Sequence, residues 1–194
     1  MGVQGRPKGS KAEIEIAKKL KAWWSEVEPA EFVRTPLSGG WGGKDLRAGF
    51  KASGDVMTTA RRFPFTIEVK RREGWVWSTL LAGRASPVWG YWKQAVGQAQ
   101  EMGGIPLLFF RKNREAWSLM LPHMALIQNG SAILAPNDYM MAWFAGALVP
   151  YSAGCHPVVI TAESFFRIPG RSWLKIPLTY PVPNAPKKAQ KKKP

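Results

Sequence analysis

The chain has 194 residues and a mass of 21.6 kDa, enough for one ordinary domain with an appendage. Hydrophobic residues make up 45% and charged residues 21%, which excludes wholesale disorder. Lys and Arg number 28 against 13 Asp and Glu, a formal charge of +15, so a polyanionic partner is expected and nucleic acid is the commonest one.

In chain order, residues 1–9 are Gly-rich and basic and read as a loose lead-in. Residues 10–25 predict a helix, with Ile16, Ala17, Leu20, Trp23 and Trp24 at helical spacing and Lys18, Lys19 and Lys21 off that stripe. Ser10 and Glu13 fit a capping box at its start. Glu13 also lies three before Ile16, so it heads the apolar stripe and could join a site on the sheet beneath. Residues 31–34 suit a short strand, and 35–53, with Gly39, Gly40, Gly42 and Gly43, a loop. Residues 55–59 and 63–71 read as two strands paired through a turn at 60–62. Residues 87–102 predict a second helix with Val88, Trp92, Ala95, Ala99 and Met102 on one side, stopped by Gly103 and Gly104. A buried strand over 105–110 pairs with one over 116–121. This order predicts an α/β fold, a mixed β-sheet flanked by helices.

Beyond 121, residues 131–149 read as helical in part, 157–161 as a strand, 162–166 as a helical turn and 173–178 as another strand. The charge divides along the same line: residues 1–114 hold 20 basic and 10 acidic residues, 115–186 three of each, and 187–194 five lysines. A single cysteine, Cys155, excludes an internal disulfide framework or a cysteine-based zinc cluster, and two histidines leave little for His-rich metal sites. The longest apolar stretch, 139–149, is too short to span a bilayer, and the start is polar. The expectation is a soluble protein of the cell interior, with no membrane partner.

A strongly basic protein that binds phosphates should keep carboxylates away from them unless a metal ion intervenes. Asp55, in Ser53-Gly54-Asp55-Val56, stands where a Gly-rich loop becomes a strand. Along Phe65-Thr66-Ile67-Glu68-Val69-Lys70, strand alternation puts Phe65, Ile67 and Val69 on one face and Thr66, Glu68 and Lys70 on the other. Two carboxylates and a main-chain carbonyl make an oxygen-rich site suited to Mg²⁺. A lysine on the same face can orient water and stabilise charge on phosphorus. Read plainly, a strand Glu-x-Lys is a solvated face and an Asp after Gly is a turn; the combination is more specific than either.

The helix opening Gly9-Ser10-Lys11-Ala12-Glu13, the Gly54-Asp55 step and Glu68-Val69-Lys70 resemble the PD-(D/E)XK nuclease superfamily. Phe32-Val33-Arg34-Thr35-Pro36-Leu37-Ser38-Gly39-Gly40 and Gly103-Gly104-Ile105-Pro106-Leu107-Leu108-Phe109 narrow the resemblance to archaeal-type Holliday junction resolvases, and the unmatched remainder and tryptophan richness suit a divergent bacteriophage member. The likeness runs over about three-fifths of the chain, residues 6–121. It implies a restriction-endonuclease-like fold with a nuclease core over 1–121, a C-terminal extension over 122–186 packed on the core or on a dimer partner, and a basic disordered tail over 187–194. It implies that Glu13, Asp55 and Glu68, with the Val69 carbonyl, hold Mg²⁺, which Mn²⁺ can replace, that Lys70 is catalytic and that Ser38 contributes. Gln94 or Gln98 matches a helical glutamine near the lysine. Arg6, Lys8, Lys11, Arg34, Lys44, Arg71 and Arg72 are candidates for the phosphate backbone. Branched DNA, four-way junctions above all, is the implied substrate and a homodimer the implied assembly. The alternatives are another nuclease of the superfamily, acting on flaps or duplex, and a non-catalytic DNA-binding protein. Gly54 departs from the superfamily's proline, and the loop 41–53 is long. Trp75, Trp77 and Trp89 beside Arg84 could stack on splayed bases or pack in the core.

Overall fold

The computed structural model describes residues 6–36, 49–82, 84–128, 139–140 and 157–176. Helix α1 (Arg6–Trp24) begins a turn before the expected Ser10. Pro7 suits a first helical turn, where its missing N–H has no partner to lose. The capping box is thereby overturned, because Ser10 lies inside the helix. Its buried stripe is Ala12, Glu13, Ile16, Ala17, Leu20 and Trp24, so a carboxylate does share the packed face.

Strands β1 (Phe32–Arg34), β2 (Lys51–Ser53) and β3 (Val56–Thr58) form an antiparallel sheet in the order β1-β3-β2. β2 falls within the stretch expected to be loop. β4 (Phe65–Arg71) follows β3 but does not form the expected hairpin with it. Both edges of β3 are taken by β1 and β2, so β4 pairs elsewhere. Among the described residues, the backbone ladder between the two sheets is a single parallel bridge, Gly54 to Ile67.

β4 runs parallel to β5 (Ile105–Arg111), with Glu68 opposite Leu108. Parallel neighbours need a crossover, supplied by α2 (Trp77–Leu81) and α3 (Pro87–Met102). α3 starts at a Ser86 cap with Pro87 in its first turn and ends at Gly103, whose φ of 73° suits glycine. Met102, expected on the packed side, is exposed. β6 (Ser118–Pro122) joins β5 antiparallel, and α4 (His123–Gln128) follows. β8 (Pro157–Thr161) pairs with β6, and β7 (Tyr139–Met140) with β8, giving the mixed order β4-β5-β6-β8-β7. Of the stretch 131–149 expected to be partly helical, only 139–140 is described, and it is strand.

α5 (Ala162–Arg167) and a 3-10 helix (Gly170–Lys175) complete the described chain. Of the strand expected over 173–178, residues 177–178 lie outside the described residues and 173–175 belong to the 3-10 helix: a Cβ on Gly170 would stand 2.9 Å from Val27, and the backbone there turns tightly with Trp173 directed inward. Two apolar layers enclose the five-stranded sheet. One joins Phe65, Ile67, Val69, Leu107 and Phe109 to α1, Phe165 and Trp173. The other joins Leu108, Phe110 and Met120 to Val88, Trp92 and Trp75. Trp77 and Trp89 pack against this second layer, so the tryptophans singled out for stacking serve the core. No helix of the described residues is long and apolar enough to cross a membrane.

Candidate active site

β4 lies at the end of the five-stranded order, so one edge meets β5 and the other faces Gly54 and Asp55. The Asp55 N–H donates to the Ile67 carbonyl at 2.7 Å, and the Val69 N–H donates to Asp55 Oδ2 at 2.8 Å. A strand residue sends its N–H and C=O to the same edge, so the Val69 carbonyl shares the Asp55 side. Thr35 fixes the step from the far side. Its N–H donates to the Asp55 carbonyl at 2.9 Å and its hydroxyl to the Gly54 carbonyl at 2.7 Å. Nothing in the sequence distinguished Thr35 beyond its place after Arg34.

Gly54 has a φ of 79°, and a Cβ there would lie 2.1 Å from the Ile67 carbonyl oxygen. Proline fixes φ near −65°. The departure from the superfamily's proline is therefore a requirement of this backbone.

Glu68 is fully buried on the face covered by α3. Neither carboxylate oxygen has a hydrogen bond of ordinary geometry, although the Lys70 ammonium forms an ion pair with it. Gln98 lies close enough to Glu68 to favour its ionised form, whereas Gln94 is exposed. Of the two glutamines considered, Gln98 is the one at the site. Glu13 approaches from α1, buried, and its Oε2 accepts from the Arg34 guanidinium.

The charges act on one another. Burial first, then the Glu68 charge, pushes the Asp55 carboxyl up to about 7, with Glu13 adding to the rise. The Val69 N–H and Lys70 oppose it. Burial likewise raises Glu68, against Lys70 and Gln98, and Glu13 again adds to the rise. Asp55, Glu68, Lys70 and Glu13 thus form one electrostatic cluster.

The remaining candidates are dispersed. Lys11 and Arg72 are exposed, and Arg71 donates to Asn113 Oδ1 at 2.9 Å. Arg34, expected on phosphate, is occupied by Glu13. Ser38, Lys44, the tail 187–194 and the side chains of Arg6 and Lys8 lie outside the described residues.

Residues 4–147 match the family model described as "Phage putative PDDEXK endonuclease". The chain belongs to this family. Membership supports a nuclease acting on DNA, and PDDEXK nucleases generally use divalent ions such as Mg²⁺. No curated protein and no solved structure gave a significant match. The match spans Glu13, Asp55, Glu68 and Lys70 together.

Whether a divalent ion suits these residues can be judged from the donors. Among the described residues, no three Asp, Glu, His or Cys side chains group closely enough to hold a metal ion by themselves. Arg34 holds Glu13 and Lys70 holds Glu68. Mg²⁺, however, is usually bound by one or two carboxylates, with water and substrate oxygens completing the octahedron. The buried Glu68 oxygens carry no hydrogen bond of ordinary geometry, and the Glu68 charge adds to burial in raising Asp55, so the two carboxylates crowd each other with little water to screen them. A hard cation fits there.

Proposed function

We propose that this endonuclease cuts branched DNA, four-way junctions foremost, by divalent-metal-dependent hydrolysis of a phosphodiester. The observation that carries the chemistry is the clustering of Asp55, Glu68 and Lys70 about β4. Asp55, Glu68 and the Val69 carbonyl would hold the ion, with Glu13 helping once Arg34 turns to phosphate. When bound, the ion supplies charge stabilisation on the phosphate and on the leaving oxygen. Lys70 orients the attacking water and meets the negative charge that grows on the phosphoryl oxygens. Gln98 keeps the Glu68 carboxylate directed at the site. The water oxygen bonds to phosphorus and the P–O3′ bond breaks. A proton from water ends on O3′, leaving a 5′-phosphate and a 3′-hydroxyl.

The junction preference rests on the resolvase-like strings 32–40 and 103–109, and a homodimer is its corollary, since a four-way junction needs two symmetric nicks. A gel comparing a four-way junction, a flap and a linear duplex in Mg²⁺ tests the substrate. Equal cutting of all three would reject junction selectivity and leave the nuclease chemistry standing. Asp55→Asn and Lys70→Ala test the chemistry, each with an expected loss of at least about 100-fold. Undiminished cutting by both would reject the site itself.

A further inference from the structure

A basic cavity opens on β4 at Thr66, two residues before Glu68. Lys51, Arg61 and Arg62 line an open cavity of about 130 Å³, together with Phe63, Thr66 and the turn Gly103-Gly104. Its floor is fixed. Thr66 is buried, and a Cβ on Gly104 would stand 2.4 Å from the Thr66 hydroxyl oxygen, so that turn closes directly onto β4. Lys51 donates to the carbonyls of Arg61 at 3.2 Å and Phe63 at 3.1 Å, which fastens β2 to the β3–β4 connection. Those bonds engage two of its three donors and account for Lys51 structurally.

The two arginines have no such explanation. Both are exposed, and among the described residues no carboxylate lies within ion-pair distance of either guanidinium. Glu28 accepts from the Arg62 main-chain N–H at 3.0 Å and interacts with the charges of Arg62 and Lys51. The cavity lining thus holds three cations and no carboxylate, beside the C-terminal end of α3, whose dipole adds negative charge but only locally. Guanidinium forks match phosphate oxygens in geometry as well as charge.

The position is informative. Thr66 and Glu68 share a face of β4 two residues apart, about 7 Å at strand rise, or roughly two base steps of axial rise. We infer that this cavity receives an internal backbone phosphate of the bound DNA strand, a step or two from the phosphate being cut, with Arg61 and Arg62 as its ligands. The inference rests on the endonuclease reading and adds a residue pair that positions the strand. Neither arginine touches the reacting atoms, so both are positioning residues.

The test uses the full chain, a fluorescein-labelled four-way junction and EDTA, so that binding is read without cleavage. Anisotropy titrations across KCl concentrations compare wild type with Arg61→Gln/Arg62→Gln. A second double variant, Arg171→Gln/Lys175→Gln, removes the same charge from two exposed positions of the 3-10 helix. One lost phosphate contact should lower the slope of log affinity against log salt by about 1 and weaken binding roughly tenfold near physiological salt. The control pair should leave the slope close to wild type. If both pairs lower it equally, only net charge matters and the cavity assignment fails. A defect seen only on junctions carrying 5′-phosphate ends would overturn the assignment to an internal phosphate. Wild type that neither binds nor cuts DNA would sink the endonuclease reading, an outcome separable from either of these.

Discussion

Burial and the charge of Glu68 push the Asp55 carboxyl up to about 7 from an ordinary value of 3.8. Between those values the folded chain holds a proton that the unfolded chain has released. Stability from this group therefore falls as pH rises from about 4 to 7, and is flat above. Asp55→Asn keeps an acceptor for the Val69 N–H and removes the ionisation. In EDTA, the variant should match wild type near pH 4.5 and melt higher at pH 8. The gap should be on the order of 5 °C or more, since one pKa unit is ~1.4 kcal/mol and 1 kcal/mol moves Tm by roughly 2–4 °C at this chain length. Added Mg²⁺ should reverse the order at pH 8, raising the wild-type Tm and leaving Asp55→Asn unmoved. Melts at several pH values, with and without Mg²⁺, check both. A wild-type Tm indifferent to Mg²⁺ would count against Asp55 as a ligand. Such a gain in metal-free stability on losing a functional carboxylate is the expected signature of charge held in place for chemistry.

Elements differed in how openly the sequence declared them. α3 matched its predicted bounds because a serine cap, a first-turn proline and a terminal Gly-Gly all act locally. β8 did so because a short apolar run bounded by Pro and a capping Thr leaves few alternatives. The Glu68 and Lys70 face followed from alternation alone. The pairing of β3 did not, because strand partners depend on which edges other strands have already taken. Asp55 and Glu68 were thus expected side by side through a hairpin, and they meet instead through main-chain bonds across a single parallel bridge. Arg34 on Glu13 was equally hidden, since β1 and α1 are brought together only by packing. The bridge makes Gly54 the most sensitive backbone position. Gly54→Ala would force a methyl group against the Ile67 carbonyl, separating Asp55 from Val69. It should cost about 3 kcal/mol or more and abolish cleavage. Gly74→Ala makes the contrast: φ is also positive, at 85°, but nothing lies within 4 Å of its Cβ, so about 1 kcal/mol is expected. Urea melts of the two variants measure the difference.

At the scale of the whole molecule, the basic charge belongs to the first 114 residues and to the five lysines of 187–194, while the neutral stretch 115–186 supplies structure. β8 lies between β6 and β7 in the sheet, and Phe165 and Trp173 reach the same core as Phe65, with ring centroids 5.7 and 5.0 Å from it. Trp23 of α1 donates to the Ile168 carbonyl at 2.8 Å, so the first helix and the late segment hold each other. The family match ends at residue 147, before β8 begins. A chain cut after 147 would expose the free edge of β6 and strip the aromatic cover from β4 and α1. It should show no cooperative thermal transition by circular dichroism and no cleavage, although Glu13, Asp55, Glu68 and Lys70 are all retained. Trp173→Ala in the full chain separates packing from length. Trp173 is fully buried, so the truncated side chain should cost roughly 3–5 kcal/mol while leaving a cooperative, Mg²⁺-responsive fold. If the shortened chain instead melted cooperatively and cut DNA, residues 157–176 would be an appendage, and the core that positions β4 would have to close without them.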